Sequence, residues 1–171
     1  MLLNTSGTQN VAVGTDALLY NDSGASNTAV RSQALFSNTD GFFNTAVGES
    51  ALFSNMTGDQ NTAVGEIALS SNIDGNHNMA TGQFALAFND HGNENTANGY
   101  QALAQSTGSF NTAVGDSALF SNTTGSENTA VGSSAGSSQD TGSGNVYIGD
   151  GCPVLPVRTI THTCGILTSP T

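Results

Sequence analysis

The sequence Asn-Thr-Ala-Val-Gly, or a close variant of it, recurs nine times, with its asparagine at Asn10, Asn27, Asn44, Asn61, Asn78, Asn95, Asn111, Asn128 and Asn145. Every step is 17 residues except the one from Asn95 to Asn111, which is 16. A short fixed period means that each copy is one structural unit stacked on the next, so the repeat sets the architecture before any residue propensity is considered.

Numbered from its asparagine, the repeat reads Asn-Thr-Ala-Val-Gly-x-x-Ala-Leu-x-x-Asn-x-x-Gly-x-x, as in residues 44–60. Positions 2 and 4 carry Thr, Val or Met and then mostly Val or Ile, the period-two pattern of a strand, and their expected place is the inside of a coil. The core candidates from this column are Val13, Val47, Val64, Val114 and Val131. Position 5 is Gly in eight of nine copies, and position 15 is Gly from Gly24 to Gly142, which predicts positive φ or close backbone approach at the corners. Each repeat is therefore expected to form a strand, a corner, a second short strand bearing Ala and Leu, and a polar turn. Seventeen residues are too few for a strand-plus-helix unit, so the prediction is an all-β fold, a β-solenoid (β-roll) rising about 4.8 Å per coil.

The chain divides into a partial first repeat (1–9), the nine repeats (10–151) and a non-repeat tail (152–171). The invariant asparagines are expected to form a ladder of side-chain amides bonded from coil to coil. The second apolar stretch contributes Leu18, Leu35, Leu52, Leu69, Leu86, Leu103 and Leu119 at position 9, with Leu19, Phe36, Phe53 and Phe120 on the opposite face at position 10. A single solenoid buries one of these faces and leaves the other as an apolar stripe, which normally marks an interface. The pattern leaves open which face turns inward. The small Ala column at position 3 would let a neighbour approach closely, so self-association is expected, as a parallel homotrimer or a filament.

Departures from the consensus carry their own expectations. Arg31 replaces the glycine of position 5, at a cost of about 1 kcal/mol or more if that corner needs positive φ. Thr81 and Asn98 stand where position 4 is otherwise Val or Ile, and the repeat from Asn95 is one residue short, so residues 78–110 are expected to be the least regular stretch.

The balance of thirteen acids against Arg31 and Arg158, a net charge of −11, leaves no electrostatic basis for binding nucleic acid or an anionic membrane surface. The acids scatter over positions 6, 7, 13, 14, 16 and 17, as on a solvated face, and form no column that would bind calcium. No apolar run is long enough to insert in a membrane, and the N-terminus does not read as a signal peptide. Gly132-Ser133-Ser134-Ala135-Gly136 matches a Gly-x-Ser-x-Gly nucleophile pattern but falls in phase with Gly-x-x-Ala-Leu, without a strand-to-helix elbow. His77, His91 and His162 have no ligand spacing, so neither a metal, nor a cofactor, nor catalysis is expected. Asn4, Asn21, Asn55 and Asn122 head Asn-x-Ser/Thr sequons, which arise readily in so Asn- and Thr-rich a chain.

The Asn-Thr-Ala-Val-Gly coils, ending in Gly144-Asn145-Val146-Tyr147-Ile148-Gly149, resemble the repeats of bacterial and phage tail-fibre-type proteins. They are similar, more distantly, to the β-roll heads of trimeric autotransporter adhesins of the YadA kind. The resemblance covers residues 4–151 and implies a shaft or surface-presenting segment of a tail fibre or surface adhesin, extracellular or on a virion or cell surface. A glycan or cell surface is then an expected partner. Nothing after Gly151 looks like the endosialidase-type chaperone domain that follows such repeats in tail fibres.

The chain opens in the middle of a coil with no visible cap, and after Gly151 the sequence turns Pro-rich and loses phase. Codons permitted for Cys152 to Thr171 can encode, in the other frame, a Gly-Val-Ala-Gly-Glu segment and then Arg-Asn-Ile, as relatives of this repeat continue. The tail is accordingly read as a frameshifted remnant and the chain as a fragment, and gene sequencing tests that reading. The alternative function is an ice-binding solenoid, using the column Thr28, Thr45, Thr62, Thr96, Thr112 and Thr129. Against it, the column is one Thr wide, is interrupted by Val11, Met79 and Val146, and is expected to point inward.

Overall fold

A computed structural model describes residues 4–138 and 140–151. The tail and its frameshift reading lie outside these residues. The regular elements are nine three-residue strands: β1 (Val11–Val13), β2 (Thr28–Val30), β3 (Thr45–Val47), β4 (Thr62–Val64), β5 (Met79–Thr81), β6 (Thr96–Asn98), β7 (Thr112–Val114), β8 (Thr129–Val131) and β9 (Val146–Ile148). They form one parallel sheet in the order β1 to β9, each strand pairing only with its sequence neighbours. This is a parallel β-solenoid, in which the remaining residues of each repeat carry the chain back to start the next strand one rung further on.

Register follows the repeat position by position, with Thr28 opposite Thr45, Ala29 opposite Ala46 and Val30 opposite Val47. The 16-residue step does not disturb it, since Thr96, Ala97 and Asn98 face Thr112, Ala113 and Val114. The missing residue is absorbed in the turn between Ser106 and Gly108, where one residue separates the two instead of the usual two. Residues 78–110 keep the strand and pairing pattern of the other coils, contrary to the sequence expectation.

The inward face of the strand is also reversed from that expectation. Ala29, Ala46, Ala63, Ala80, Ala97, Ala113 and Ala130 at position 3 are fully buried, whereas Val13, Val64, Val114 and Val131 at position 4 are exposed. Val30, Val47 and the position-2 threonines are half-buried on the same outer side. Alternation along a strand forces this choice: position 3 faces inward, or positions 2 and 4 do. Each coil already sends Leu from position 9 and Ala from position 8 into the bore, all of them fully buried from Ala17 and Leu18 to Ala118 and Leu119. Opposite a leucine in so narrow a bore, alanine fits and a column of valines would overpack. Thr81 and Asn98 consequently put no polar group into the core.

The segment around position 9 is a turn, not the second strand expected from the sequence. Leu18, Leu35, Leu52, Leu69, Leu86, Leu103 and Leu119 all lie at φ between 51° and 53°, in the left-handed region. That conformation costs a non-glycine residue about 1–2 kcal/mol. Complete burial of a leucine side chain returns about 1.5–3 kcal/mol, and the amide of each bonds to the next coil, as from Leu52 N–H to the Ala68 carbonyl at 3.0 Å. Packing thus prevails over local preference in every repeat.

Candidate functional site

The invariant asparagines line a polar edge of the bore, buried from Asn27 to Asn128 and half-buried at Asn10 and Asn145. At position 1 the side-chain oxygen accepts the backbone N–H of the asparagine one coil on: Asn27 N donates to Asn10 Oδ1 at 2.9 Å and Asn44 N to Asn27 Oδ1 at 2.8 Å. The relay continues through Asn61, Asn78, Asn95, Asn111, Asn128 and Asn145 at 2.9–3.0 Å.

The asparagine of position 12, which falls in the polar turn of the repeat, builds a second buried column. Asn38 Nδ2 donates to Asn21 Oδ1 at 2.9 Å, Asn55 Nδ2 to Asn38 Oδ1 at 2.7 Å and Asn72 Nδ2 to Asn55 Oδ1 at 2.7 Å. The two columns meet on the position-15 glycine, whose carbonyl accepts from both: Gly58 O receives Asn44 Nδ2 at 2.7 Å and Asn55 Nδ2 at 2.9 Å. A Cβ on Gly58 would lie 2.4 Å from Asn55 Oδ1 and 2.5 Å from the Gly75 carbonyl oxygen, so glycine is required there by close approach. The readable signal was the recurrence of Asn three residues before each Gly.

Ser106 occupies position 12 in the short coil, fully buried, and takes the Asn122 Nδ2 bond at 3.1 Å. Asn89 Oδ1, which would accept from an asparagine at that place, is buried without a partner among the described residues. Asn21, Asn55 and Asn122, three of the four sequon asparagines, belong to this column and are fully buried, which closes them to glycosylation in the folded chain.

The outer side of the sheet presents positions 2 and 4 in two parallel files. From Val11 and Val13 to Val146 and Ile148 these files contain no charged side chain. Thr28, Thr45, Thr62, Thr96, Thr112 and Thr129 are half-buried in the outward file, which removes the objection that this column points into the core. At position 10, Leu19, Phe36, Phe53 and Phe120 are half-buried. Phe36 and Phe53 stack with centroids 4.8 Å apart and ring planes within 3°, and Tyr20 meets Phe36 edge-on at 5.0 Å. The column stops at Ser70, where an open groove of about 390 Å³ lies beside Phe53.

The Gly-x-Ser-x-Gly segment lies in the packed turn of its coil. Gly136 stands at position 9 of its coil, and a Cβ on it would come within 2.7 Å of the Tyr147 ring. Tyr147, in the place of the inward alanine, is buried, and this desolvation raises its phenol pKa above the usual value. His91 Nδ1 lies 2.6 Å from Asp74 Oδ1 across one coil, and both side chains are exposed. The hydrogen bond and charge of Asp74 raise the His91 pKa, with a smaller contribution from Asp90. Among the described residues no group of three His, Cys, Asp or Glu is placed to hold a metal, and no helix is long and apolar enough to cross a membrane.

No family model, no curated protein and no solved structure matches the chain.

Proposed function

We propose that the chain is a structural fibre or adhesion module, the shaft or surface-presenting segment of a tail fibre or surface adhesin, and that it has no catalytic role. Its parent protein would then be extracellular or on a virion or cell surface. The observation that carries this reading is the uncharged outer face of the sheet. Two files, mostly Thr at position 2 and mostly Val at position 4, run the length of nine strands, on a chain whose acids all stand at other positions of the repeat. At about 4.8 Å per rung the face is on the order of 40 Å long. An uncharged face of this kind, with a position-4 file that is mostly Val and broken by Thr81 and Asn98, is one that a second and third copy laid parallel to the first would cover.

Sedimentation velocity over a range of concentrations tests the reading. A trimer or filament is expected, and Val64→Lys with Val114→Lys should convert it to a folded monomer. A wild-type chain that stays monomeric at high concentration overturns the assembly reading.

A second reading is favoured by one observation. The outward Thr file, in register from coil to coil, is what an ice-binding solenoid would use. Thermal hysteresis in a dilute solution of the chain would place this reading first, and its absence would remove it.

A further inference from the structure

The stack formed by Phe36 and Phe53 has one ring's width of free space at its end. Centroids 4.8 Å apart and nearly parallel rings mean that the aromatic column advances at the coil spacing itself. One further step along it falls at Ser70, where the side chain is a single hydroxyl. The step after that is closed, because Ala87 at the same position of the next coil is fully buried. What remains is an open groove of about 390 Å³ bounded by Phe53, Ile67 and a set of polar side chains. Its volume lies within the range of small-molecule sites.

The lining selects the chemistry of an occupant. Phe53 and Ile67 offer apolar surface on one side. Ser50, Ser54, Ser70 and Ser71 and the amide of Gln33 surround it with donors and acceptors, and no lining side chain is charged. Ser70 Oγ already donates to the Ala87 carbonyl oxygen at 3.2 Å and Ser50 Oγ to Gln33 Oε1 at 3.5 Å, so a flat aromatic molecule would cover Phe53 and shed water from the Ser54 and Ser71 hydroxyls without bonding them, at a cost for each group kept from water. A charged molecule would find no counter-charge, and an anion would meet a protein of net charge −11. A neutral sugar ring satisfies both parts. Its C–H face carries partial positive charge toward the negative face of an aromatic ring, and its hydroxyls radiate at the rim.

We propose that this groove is a binding site for a neutral pyranose, which takes the place of the missing ring on Phe53 and is held at its edge by the serines and Gln33. The proposal deepens the adhesion reading by naming a ligand class and a place for it. Its test does not depend on oligomeric state, so it can fail while the assembly reading stands, and the reverse.

The experiment is an NMR titration of the isotope-labelled chain with the methyl glycosides of glucose, galactose, mannose and N-acetylglucosamine, with benzyl alcohol as the aromatic control. At least one glycoside should give saturable shifts at the Phe53 ring and the Ser70 and Ser71 amides at millimolar concentration. Ser70→Phe supplies the missing ring from within the chain and should weaken that binding by about tenfold or more, while keeping the thermal midpoint of the wild type. Phe53→Leu retains an apolar side chain and removes only the ring. It should weaken binding to a similar degree and serves if Ser70→Phe fails to fold. The proposal is overturned if no glycoside shifts these signals saturably, if the shifts survive loss or filling of the ring site, or if benzyl alcohol binds there as well as the best glycoside.

Discussion

The ring of Tyr147 takes the space that a side chain on Gly136 would need. A Cβ on Gly136 would stand 2.7 Å from Tyr147 Cδ2 and 2.9 Å from Cγ, and 3.1 Å from Leu119 Cδ2. Every earlier full repeat pairs an inward leucine with inward alanines, and here the large and small partners are exchanged between neighbouring coils. The core keeps its volume while the source of that volume moves to the strand.

That exchange predicts strong coupling. Tyr147→Ala should destabilise the C-terminal coils by about 3 kcal/mol or more through the cavity it leaves. Gly136→Leu alone should also destabilise, by overpacking. The double variant restores the consensus arrangement, and Gly136 already has φ of 60°, close to the 51–53° of the position-9 leucines. Its stability should exceed the sum of the single effects by at least about 1 kcal/mol. Hydrogen exchange of the β8 and β9 amides measures this locally, and simple additivity would refute the pairing.

Tyr147 also gives the fold an alkaline limit. Burial raises its pKa above 10.0, so its folded state favours the neutral phenol. The contribution is fully present below the unfolded value and is lost as pH rises through the folded one. Thermal midpoints measured from pH 9 upward should fall once pH passes about 10, and Tyr147→Phe should flatten that fall.

Arg31 is the exception among the corner residues, with φ of 99° where Gly14 and Gly48 have 136° and 148°. Arg31→Gly relieves a conformation that a Cβ disfavours and should stabilise by about 1 kcal/mol, less the entropy that glycine adds to the unfolded chain. Chemical denaturation of the two forms decides it. Equal or lower stability of the glycine form would mean that Arg31 makes compensating contacts.

Removal of one rung from the asparagine ladder should cost far more than loss of an exposed asparagine. In Asn44→Ala the buried Asn61 N–H loses its acceptor and the Gly58 carbonyl loses one of its two donors. Unsatisfied buried groups of this kind cost about 1–3 kcal/mol each. Asn98→Ala, on the outer file, should change stability by less than about 0.5 kcal/mol. Comparable effects in urea unfolding would show that the ladder contributes little.

The His91–Asp74 pair predicts a smaller dependence as pH rises above 6.5. The partner carboxylate raises the His91 pKa above 6.5, so the pair's contribution is complete below that value and is lost as pH rises through the raised one. Both groups are exposed, so the effect is modest and salt-sensitive. His91→Gln should reduce the difference between thermal midpoints at about pH 5.5 and about pH 8.5. An unchanged difference would exclude the pair as its source.

Much of this architecture is legible in the repeat, because a period of 17 residues leaves one economical way to stack coils. The leucine column and the glycine corners are visible from phase alone, but phase leaves open whether the leucines or the Phe36 and Phe53 face would turn inward. The inward face of the strand was not visible, because hydrophobicity ranks Val above Ala, whereas the bore selects by size once a leucine stands opposite. The position-9 turn was hidden for a related reason. Left-handed φ is unfavourable for leucine in isolation, and only the packed coil reveals what offsets it. The groove beside Phe53 is visible in sequence only as Ser70 following Phe36 and Phe53 in the same column. Its meaning depends on the rings actually stacking.

The shared acceptor at position 15 bears on how such a gene can change. The Gly58 carbonyl is addressed by two side chains of its own coil, so an insertion between Asn44 and Asn55 would displace the Asn44 donor and spare the Asn55 bond, whereas one between Asn55 and Gly58 would disturb both. The one length change present, in the short turn after Ser106, falls in the second interval, in the coil where position 12 is Ser106 instead of Asn, and there the Asn95 bond to the Gly108 carbonyl and the strand register both persist. Unequal recombination between repeats, which adds or drops a whole coil, meets no such obstacle. The reach of the rod is therefore free to evolve in rungs of about 4.8 Å, while its cross-section stays fixed.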